Sequence, residues 1–290
     1  MSTPTLAPTT AAERTAAPIG LLAGWGRFPI VFAEKARSLN IPVVCVGVRD
    51  EAPPELAALV DRFYWAGLGK LGRMIRCFKK EGVRQIVMAG KIHKVRIFSP
   101  LGIWRLLPDW RALRLWFRRR KDNGDDTLLL RMIDEFAADG MAFASALDLC
   151  PELLVKTGIL TRRGLSGREE DDMTFGWGLA KEMGRLDIGQ SVAIRDKAVL
   201  AVEAIEGTDQ AIQRAGQLCK RGGFVVVKVA KPQQDMRFDV PTVGTATIET
   251  MHQAGARVLA IEADKTIILD QDQTVALADR YGISIVARAA

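Results

Sequence analysis

The chain is poor in histidine and cysteine, the side chains on which many metal and nucleophilic sites depend. Its 290 residues include two histidines, His93 and His252, and four cysteines that lie far apart. No Cys-x-x-Cys motif or Cys/His cluster is present, which argues against structural zinc and a disulfide framework and fits a reducing compartment. A histidine-centred triad or a multi-histidine metal site is disfavoured for the same reason. If the protein is an enzyme, carboxylates and an oxygen-liking cation are the better candidates for its chemistry.

Long hydrophobic runs are also missing. Residues 1–17 are rich in Ala, Thr and Pro and lack the apolar core of a secretory signal, so we expect a disordered N-terminal extension. No later window reaches the length of uncharged apolar sequence that a membrane span needs. We therefore expect a protein that is soluble or lies on a membrane surface, with the ordinary globular content of 48% hydrophobic and 26% charged residues.

Positive charge is concentrated in one segment, residues 91–121. It holds ten lysines and arginines against one acid, Asp109, which gives +9, whereas the whole chain carries +7 and the remainder therefore sums to −2. Because Trp, Leu and Phe alternate with these cations, the pattern favours a segment lying at an anionic membrane surface. A nucleic-acid partner is not expected, since such binders more often spread basic charge across a domain face. A helix that packs its apolar side on its own domain is the remaining alternative.

The first half of the chain alternates strand and helix patterns, which predicts a parallel sheet with right-handed crossovers. A first strand, 19–23, ends at Gly24-Trp25-Gly26, and a later strand, 85–89, ends at Gly90-Lys91. Glycines after a first strand let backbone N–H groups approach a phosphate at a helix start, although an ordinary strand–helix turn has the same pattern. Pro29 replaces the last glycine of the dinucleotide fingerprint. The other predicted elements of this half are a helix at 30–39, a strand at 42–48 and helices at 71–81 and 127–138.

The second half reads as a separate compact α/β domain. Two strands, 188–194 and 198–205, are expected to pair, and a helix capped by Thr208 or Asp209 is expected to run to Leu218. Further elements are predicted as strands at 224–230, 258–261, 267–269 and 283–286 and as helices from Gly244 onward and near 275–280.

The buried strand 224–230 leads into an unusual charged segment, residues 231–244. Lys231, Asp235, Arg237 and Asp239 stand there on backbone stiffened by two prolines. Charges held this close shift one another's pKa values and can bind a metal or a phosphate. The pattern predicts a functional site, and a solvated, ion-paired loop is the alternative.

Several short motifs, taken together in their order and spacing, closely resemble the LpxI-type UDP-2,3-diacylglucosamine pyrophosphatases of lipid A biosynthesis. The resemblance covers essentially everything after residue 17. The motifs are 22–29 (LAGWGRFP), 89–91 (AGK), 124–126 (GDD), 184–190 (GRLDIGQ), 201–209 (AVEAIEGTD) and 239–244 (DVPTVG). One departure is Lys94-Val95, where the family often has Arg-Pro.

The resemblance implies an enzyme that hydrolyses UDP-2,3-diacylglucosamine to UMP and 2,3-diacylglucosamine 1-phosphate, with magnesium or another divalent cation supporting attack of water on the α-phosphate. It implies an α/β fold in which an N-terminal Rossmann-like parallel-sheet domain binds the UDP-sugar and is followed by a C-terminal α/β hydrolase domain of distinct topology. The implied partners are the UDP-sugar, the anionic inner-membrane surface and a second copy in a homodimer. The implied location is cytoplasmic, peripheral to that membrane.

The same resemblance, carried to individual positions, places the expected catalytic residues at Asp239, Arg237 and Lys231. The turns that follow the first strand and the strand 85–89 supply the expected nucleotide-binding residues Gly24, Gly26, Gly90 and Lys91. The candidate metal ligands are Asp239, Asp125, Asp126 and Asp209. The expected domains are an extension at 1–17, a UDP-binding domain at 18–145, a linker at 146–166 and a catalytic and lipid-binding domain at 167–290.

Two other classes of function stay open at this point. A nicotinamide-dependent oxidoreductase could use the glycine turn, but Pro29 and the charged loop count against it. A non-catalytic surface-binding protein would give the loop a merely structural role.

Overall fold

The structure is a computed structural model of the whole chain, and it describes residues 17–92, 108–117, 125–237 and 239–289. These residues fall into two compact units, the first ending at Ala144 and the second beginning at Ser145. Most of the basic segment 91–121 lies outside the described residues. Within the described part of the chain, no helix combines the length and apolar character needed to cross a bilayer.

The first unit is built on a five-stranded parallel sheet with the strand order β3-β2-β1-β4-β5. Its strands are β1 (Ile19–Ala23), β2 (Val43–Val48), β3 (Arg62–Ala66), β4 (Gln85–Ala89) and β5 (Ala142–Ala144). Its helices are α1 (Phe28–Ser38), α2 (Leu71–Lys80), α3 (Trp110–Phe117) and α4 (Asp125–Ala137). The predicted parallel sheet is confirmed, because β2 and β4 flank β1 and both run parallel to it.

Apolar sequence explains the interior strands of this unit. All six residues of β2 are buried, the continuous pattern of a parallel strand covered on both faces. Phe32 on α1, Phe78 on α2 and Phe136 on α4 are fully buried around the sheet. Strand β3 was not predicted, since four of its five residues are partly or fully exposed at the edge of the sheet.

The second unit holds a six-stranded mixed sheet with the order β6-β13-β11-β9-β7-β8. Its strands are β6 (Gly158–Ile159), β7 (Ser191–Arg195), β8 (Ala198–Val202), β9 (Phe224–Lys228), β11 (Ala256–Glu262) and β13 (Ser284–Arg288), and a separate parallel pair is formed by β10 (Thr242–Val243) and β12 (Ile267–Ile268). Its helices are α5 (Gly167–Arg185), α6 (Thr208–Leu218), α7 (Thr245–Ala254) and α8 (Gln271–Tyr281). Strands β9, β11 and β13 are parallel, whereas β7 runs antiparallel to both β8 and β9.

Both faces of this second sheet are covered. On one face, Val225 and Val227 of β9 pack with Met173 and Trp177 of α5. On the other face, Phe224 and Val226 belong to the core that includes residues of α6, α7 and α8. Helix α5, which was not predicted, begins with a capping box between Ser166 and Glu169.

Residues 146–166, expected from the sequence to be a linker, contribute to the second unit. They supply two short 3-10 helices, Ala146–Asp148 and Pro151–Leu153, and strand β6, which pairs with β13. Val155 is buried in the core of this unit.

The predicted cap of α6 is wrong. Its N-cap is Gly207, with φ of +88°, and no side chain caps the helix. Thr208 is instead the first helical residue, and its hydroxyl points into a buried polar cluster described below. The pairing of β7 with β8 and the position of β9 agree with the sequence prediction.

Candidate functional site

The predicted nucleotide-binding residues meet at the carboxyl ends of β1 and β4, two interior strands of the first sheet. The Gly24 N–H donates to the Ala89 carbonyl at 2.9 Å, and Trp25 and Lys91 exchange backbone hydrogen bonds of 2.7 and 2.9 Å. The turn after β1 and the turn after β4 are therefore joined. Because the chain leaves β1 toward β2 on one side and β4 lies on the other, these carboxyl ends mark the point where the strand order reverses, a position where ligands commonly bind in α/β sheets.

Different constraints require glycine at Gly24, Gly26 and Gly90. A Cβ at Gly24 would lie 2.6 Å from the Lys91 carbonyl oxygen, and one at Gly90 would lie 2.7 Å from the Gly24 carbonyl carbon. At these two positions it is protein backbone that comes close, so glycine is required there by the packing of the two turns, and their binding of a phosphate stays a prediction. Gly26 has φ of +105° and no described atom within 4 Å of its Cβ position, so it leaves open space beside the start of α1.

In the second unit, the predicted catalytic loop follows β9 and is fixed at its beginning. The Lys231 N–H donates to Gln234 Oε1 at 2.7 Å, and Lys231 Nζ donates to Asp187 Oδ1 at 2.5 Å. Asp187 has φ of +56° in the turn that follows α5. Lys231 is thus tied both to its own loop and to the end of that helix.

The middle of the loop is braced by an ion pair. Arg237 Nε donates to Asp235 Oδ1 at 2.9 Å and its terminal nitrogen donates to Asp235 Oδ2 at 2.5 Å. The hydrogen bond from Arg237 holds the pKa of Asp235 below its usual range, and the same bond raises the pKa of Arg237. The half-buried Asp239 is connected to this brace through its N–H, which donates to the Asp235 carbonyl at 3.0 Å.

The candidate metal ligands lie in both units. Asp209 is in the first turn of α6, and Asp239 is in the loop after β9. Asp125 and Asp126 begin α4, but their side chains lie outside the described part of the structure. Among the described residues, no three His, Cys, Asp or Glu side chains gather as a metal-binding group. Magnesium in proteins is often held by only one or two carboxylates together with phosphate oxygens and water, so a single carboxylate such as Asp239 is chemically compatible with it, and a magnesium site stays a prediction.

A buried polar cluster beside the loop was missed in the sequence. Lys228, the last residue of β9, is 3% exposed, and its Nζ donates to Thr208 Oγ1 at 2.6 Å. Thr208 Oγ1 in turn donates to Glu203 Oε1 at 3.0 Å and lies 3.4 Å from Ser191 Oγ. The lysine inside the apolar run 224–230 could have indicated this cluster, because a buried cation needs polar partners.

Glu262 forms a second buried cluster at the end of β11. Its Oε2 accepts from the Ala230 N–H at 2.8 Å and from Lys181 Nζ at 2.6 Å, and its Oε1 lies 3.0 Å from Lys265 Nζ. Burial acts to raise the pKa of Glu262, but the hydrogen bonds from Lys181 and Ala230, together with the nearby Lys265 ammonium, outweigh it and hold the pKa below its usual range. In the sequence, this cluster is indicated by a glutamate at the end of an apolar strand, since a buried carboxylate also needs polar partners.

Comparison with known proteins decides the family. Family models of the LpxI N-terminal domain and the LpxI C-terminal domain match residues 18–153 and 156–286. The chain belongs to the LpxI family. A relative, the UDP-2,3-diacylglucosamine pyrophosphatase LpxI of Caulobacter vibrioides, is 31% identical over 281 residues, which cover 92% of this chain and 96% of that protein. The resemblance identified from the sequence motifs is therefore confirmed.

Among solved structures, the chain is similar to a crystal structure of the biotin carboxylase subunit of pyruvate carboxylase. The two share 15% sequence identity over 71% of this chain and 42% of that one, with a TM-score of 0.23. A score this low carries no argument about fold or function.

Proposed function

We propose that the protein hydrolyses UDP-2,3-diacylglucosamine to UMP and 2,3-diacylglucosamine 1-phosphate, a step of lipid A biosynthesis. The observation that carries this proposal is the family match across both units, with a relative of that activity over 92% of the chain. The nicotinamide-dependent oxidoreductase is not favoured, because the same match extends through the charged loop of the second unit.

The first unit is proposed to be a Rossmann-like domain that binds the UDP part of the substrate. Its strand order and the joined turns at Gly24–Gly26 and Gly90–Lys91 support this role, since diphosphates bind where strand order reverses. Gly26 and the start of α1 offer open space and backbone N–H groups, and Lys91 offers a cation.

The second unit is proposed to carry the chemistry. A pyrophosphate diester is highly anionic, so charge that develops as the bond breaks must be offset by fixed cations. Lys231 and Arg237 supply such charge from positions held by Asp187 and Asp235. We propose that Asp239 either orients the attacking water and accepts its proton or holds the metal ion, because both roles use a negative carboxylate at the same loop.

Magnesium, when bound, supplies charge neutralisation to the phosphates and favours ionisation of water. We propose Asp239 as a residue that would hold it, and Asp209, Asp125 and Asp126 each stay a separate candidate. The anionic membrane surface and a second copy of the chain remain proposed partners.

The test is an assay of UMP release from UDP-2,3-diacylglucosamine, followed by phosphorus NMR with and without EDTA. In water enriched in oxygen-18, we expect the label in UMP and not in the lipid phosphate, because attack is proposed at the α-phosphate. Chelation should abolish turnover and added Mg²⁺ should restore it. Absence of UMP under all conditions would reject the activity, and label in the lipid phosphate would reject the site of attack.

A further inference from the structure

The base of the charged loop is held by a side chain and not by the sheet. The ladder between β9 and β11 pairs Lys228 with Ile261 as its last residues. Two residues later, the Ala230 N–H donates to the carboxylate of Glu262, which is 0% exposed. Glu262 therefore continues the connection between the two strands at the point where the chain turns away into the loop.

The same carboxylate connects the loop to helix α5. Lys181 Nζ donates to Glu262 Oε2 at 2.6 Å and to the Ala230 carbonyl at 3.4 Å. Both backbone polar groups of Ala230 are thus bound by one ion pair. A buried carboxylate is costly unless it is paired, and here the pairing falls on the residue that begins the loop.

A second contact with α5 follows immediately. Lys231 binds Asp187 in the turn after this helix, and a Cβ at Gly184 would lie 3.3 Å from the Lys231 Cα. The backbone of residues 230–231 is consequently enclosed between α5 and the end of β11. These contacts fix the point from which the loop begins, and the loop then leads to Arg237 and Asp239.

We infer that Glu262, with Lys181, is a positioning residue for the hydrolytic site: it fixes the start of the loop so that Lys231, Arg237 and Asp239 stand in one arrangement. This inference rests on the proposed function, since it concerns the same loop. Side chains that hold active groups in place commonly change rates by about 10- to 100-fold when removed, through displacements of an ångström or less.

The test compares Glu262→Gln with a matched control, Asp172→Asn. Asp172 is also a buried carboxylate of the second unit, 2% exposed, but it accepts the N–H groups of Asp196 and Lys197 in the β7–β8 turn. Both changes keep side-chain shape and remove one buried charge. At a temperature well below both melting points, we expect kcat of Glu262→Gln to fall about 10- to 100-fold with little change in KM, and Asp172→Asn to keep wild-type kcat.

A second pair of variants tests whether the positive charge of Lys181 or only the volume of its side chain matters. Lys181→Arg keeps a cation for Glu262 and should retain most of the turnover, whereas Lys181→Met should resemble Glu262→Gln. Equal kcat for Glu262→Gln and wild type, or losses of kcat that simply follow melting temperature in both Glu262 and Asp172 variants, would overturn the inference.

Hydrogen exchange by mass spectrometry gives a readout that does not depend on the substrate. Glu262→Gln should accelerate exchange across residues 230–241, and Asp172→Asn should accelerate it around residues 195–198 instead. If the wild-type protein releases no UMP, the proposed function fails while this measurement still tests whether Glu262 holds the loop. Unchanged exchange across 230–241 would overturn the positioning role whatever the activity.

Discussion

At the scale of single residues, the two aspartates of the loop after β9 have different surroundings. Asp235 accepts hydrogen bonds from both the backbone N–H and the guanidinium of Arg237, and this pairing braces the loop. Asp239 is half-buried beyond that brace and just before Pro241, on backbone that is stiffened by the proline. The structure thus gives Asp235 a bracing role in the loop. The catalytic role of Asp239 stays the prediction that the family motif made.

Asp239→Asn should lower turnover by at least about 10²-fold, because the amide keeps the shape but removes the charge that a general base or a metal ligand needs. Binding of the UDP part should persist, since it is assigned to the first unit. Steady-state kinetics of UMP release measure the effect. Asp235→Asn is the control and should cost less, and a larger loss for Asp235→Asn than for Asp239→Asn would place the catalytic centre elsewhere.

The brace also predicts a pH dependence. The hydrogen bond from Arg237 lowers the pKa of Asp235, so the ionised carboxylate is favoured in the folded protein. The stability that this pair contributes is therefore present above the ordinary Asp pKa of about 3.9 and is lost as pH falls through the lowered value. Carboxyl carbon NMR should show Asp235 titrating below that range in wild type and returning toward it in Arg237→Gln. An unchanged titration in Arg237→Gln would show that Arg237 does not set the pKa.

At the scale of elements, hydrophobic pattern predicted most of the structure. Strand 85–89 and the paired strands β7 and β8 were recognised because continuous or alternating apolar residues mark buried strands. Edge strand β3 was missed because its side chains are partly exposed, and α5 because glycines and acids interrupt its apolar stripe. Thr208 was assigned as a cap by residue type, whereas its hydroxyl is used by Glu203, five residues earlier, and by Lys228, twenty residues later on another strand. The lysine in the apolar run indicated that a polar partner was needed, but the local sequence did not identify that partner.

The turn after β1 gives a prediction for the first unit. Gly26→Val adds a side chain where no described atom lies within 4 Å, so it causes no clash inside the protein, although valine strains the backbone at φ of +105°. A control with a similar strain is therefore needed to attribute a loss of UDP affinity to the ligand. We expect the Kd for UDP to rise about tenfold or more, equal to roughly 1.4 kcal/mol, with folding retained. Calorimetric titration with UDP measures this change.

Gly82→Val is the matched control for that experiment. Gly82 also has a positive φ, +71°, and open space beside it, but it precedes β4 at the opposite end of the strand from Gly90. Both variants carry the same type of backbone strain, about 1–3 kcal/mol. Equal affinities for UDP in the two variants would remove the Gly26 turn from the site.

At the scale of the whole molecule, the family match covers both units, yet the charge is unevenly spread along the chain. The net +9 of residues 91–121 exceeds the +7 of the whole protein. Described residues of this segment include α3, where Trp110 is 78% exposed and Arg114 pairs with Glu135 of α4. Part of the segment is therefore held against its own unit, as the packed-helix alternative requires, while an exposed tryptophan agrees with a surface that contacts lipid headgroups.

Replacing Arg118, Arg119 and Arg120 with Gln decides between these interpretations. These three residues lie outside the described part of the structure, so the prediction rests on the sequence. If the segment lies on an anionic membrane surface, binding to phosphatidylserine vesicles should weaken by about 1 kcal/mol per charge removed, and activity on a short-chain soluble substrate should hardly change. Co-sedimentation over a range of salt concentrations measures the binding, because headgroup attraction is screened by salt.

The control replaces Arg162, Lys220 and Arg221, exposed cations of the second unit, and lowers the net charge by the same three units, from +7 to +4. Equal loss in both triple variants would mean that net charge and not this segment attracts the protein to lipid, and unchanged binding at every salt concentration would favour the packed helix.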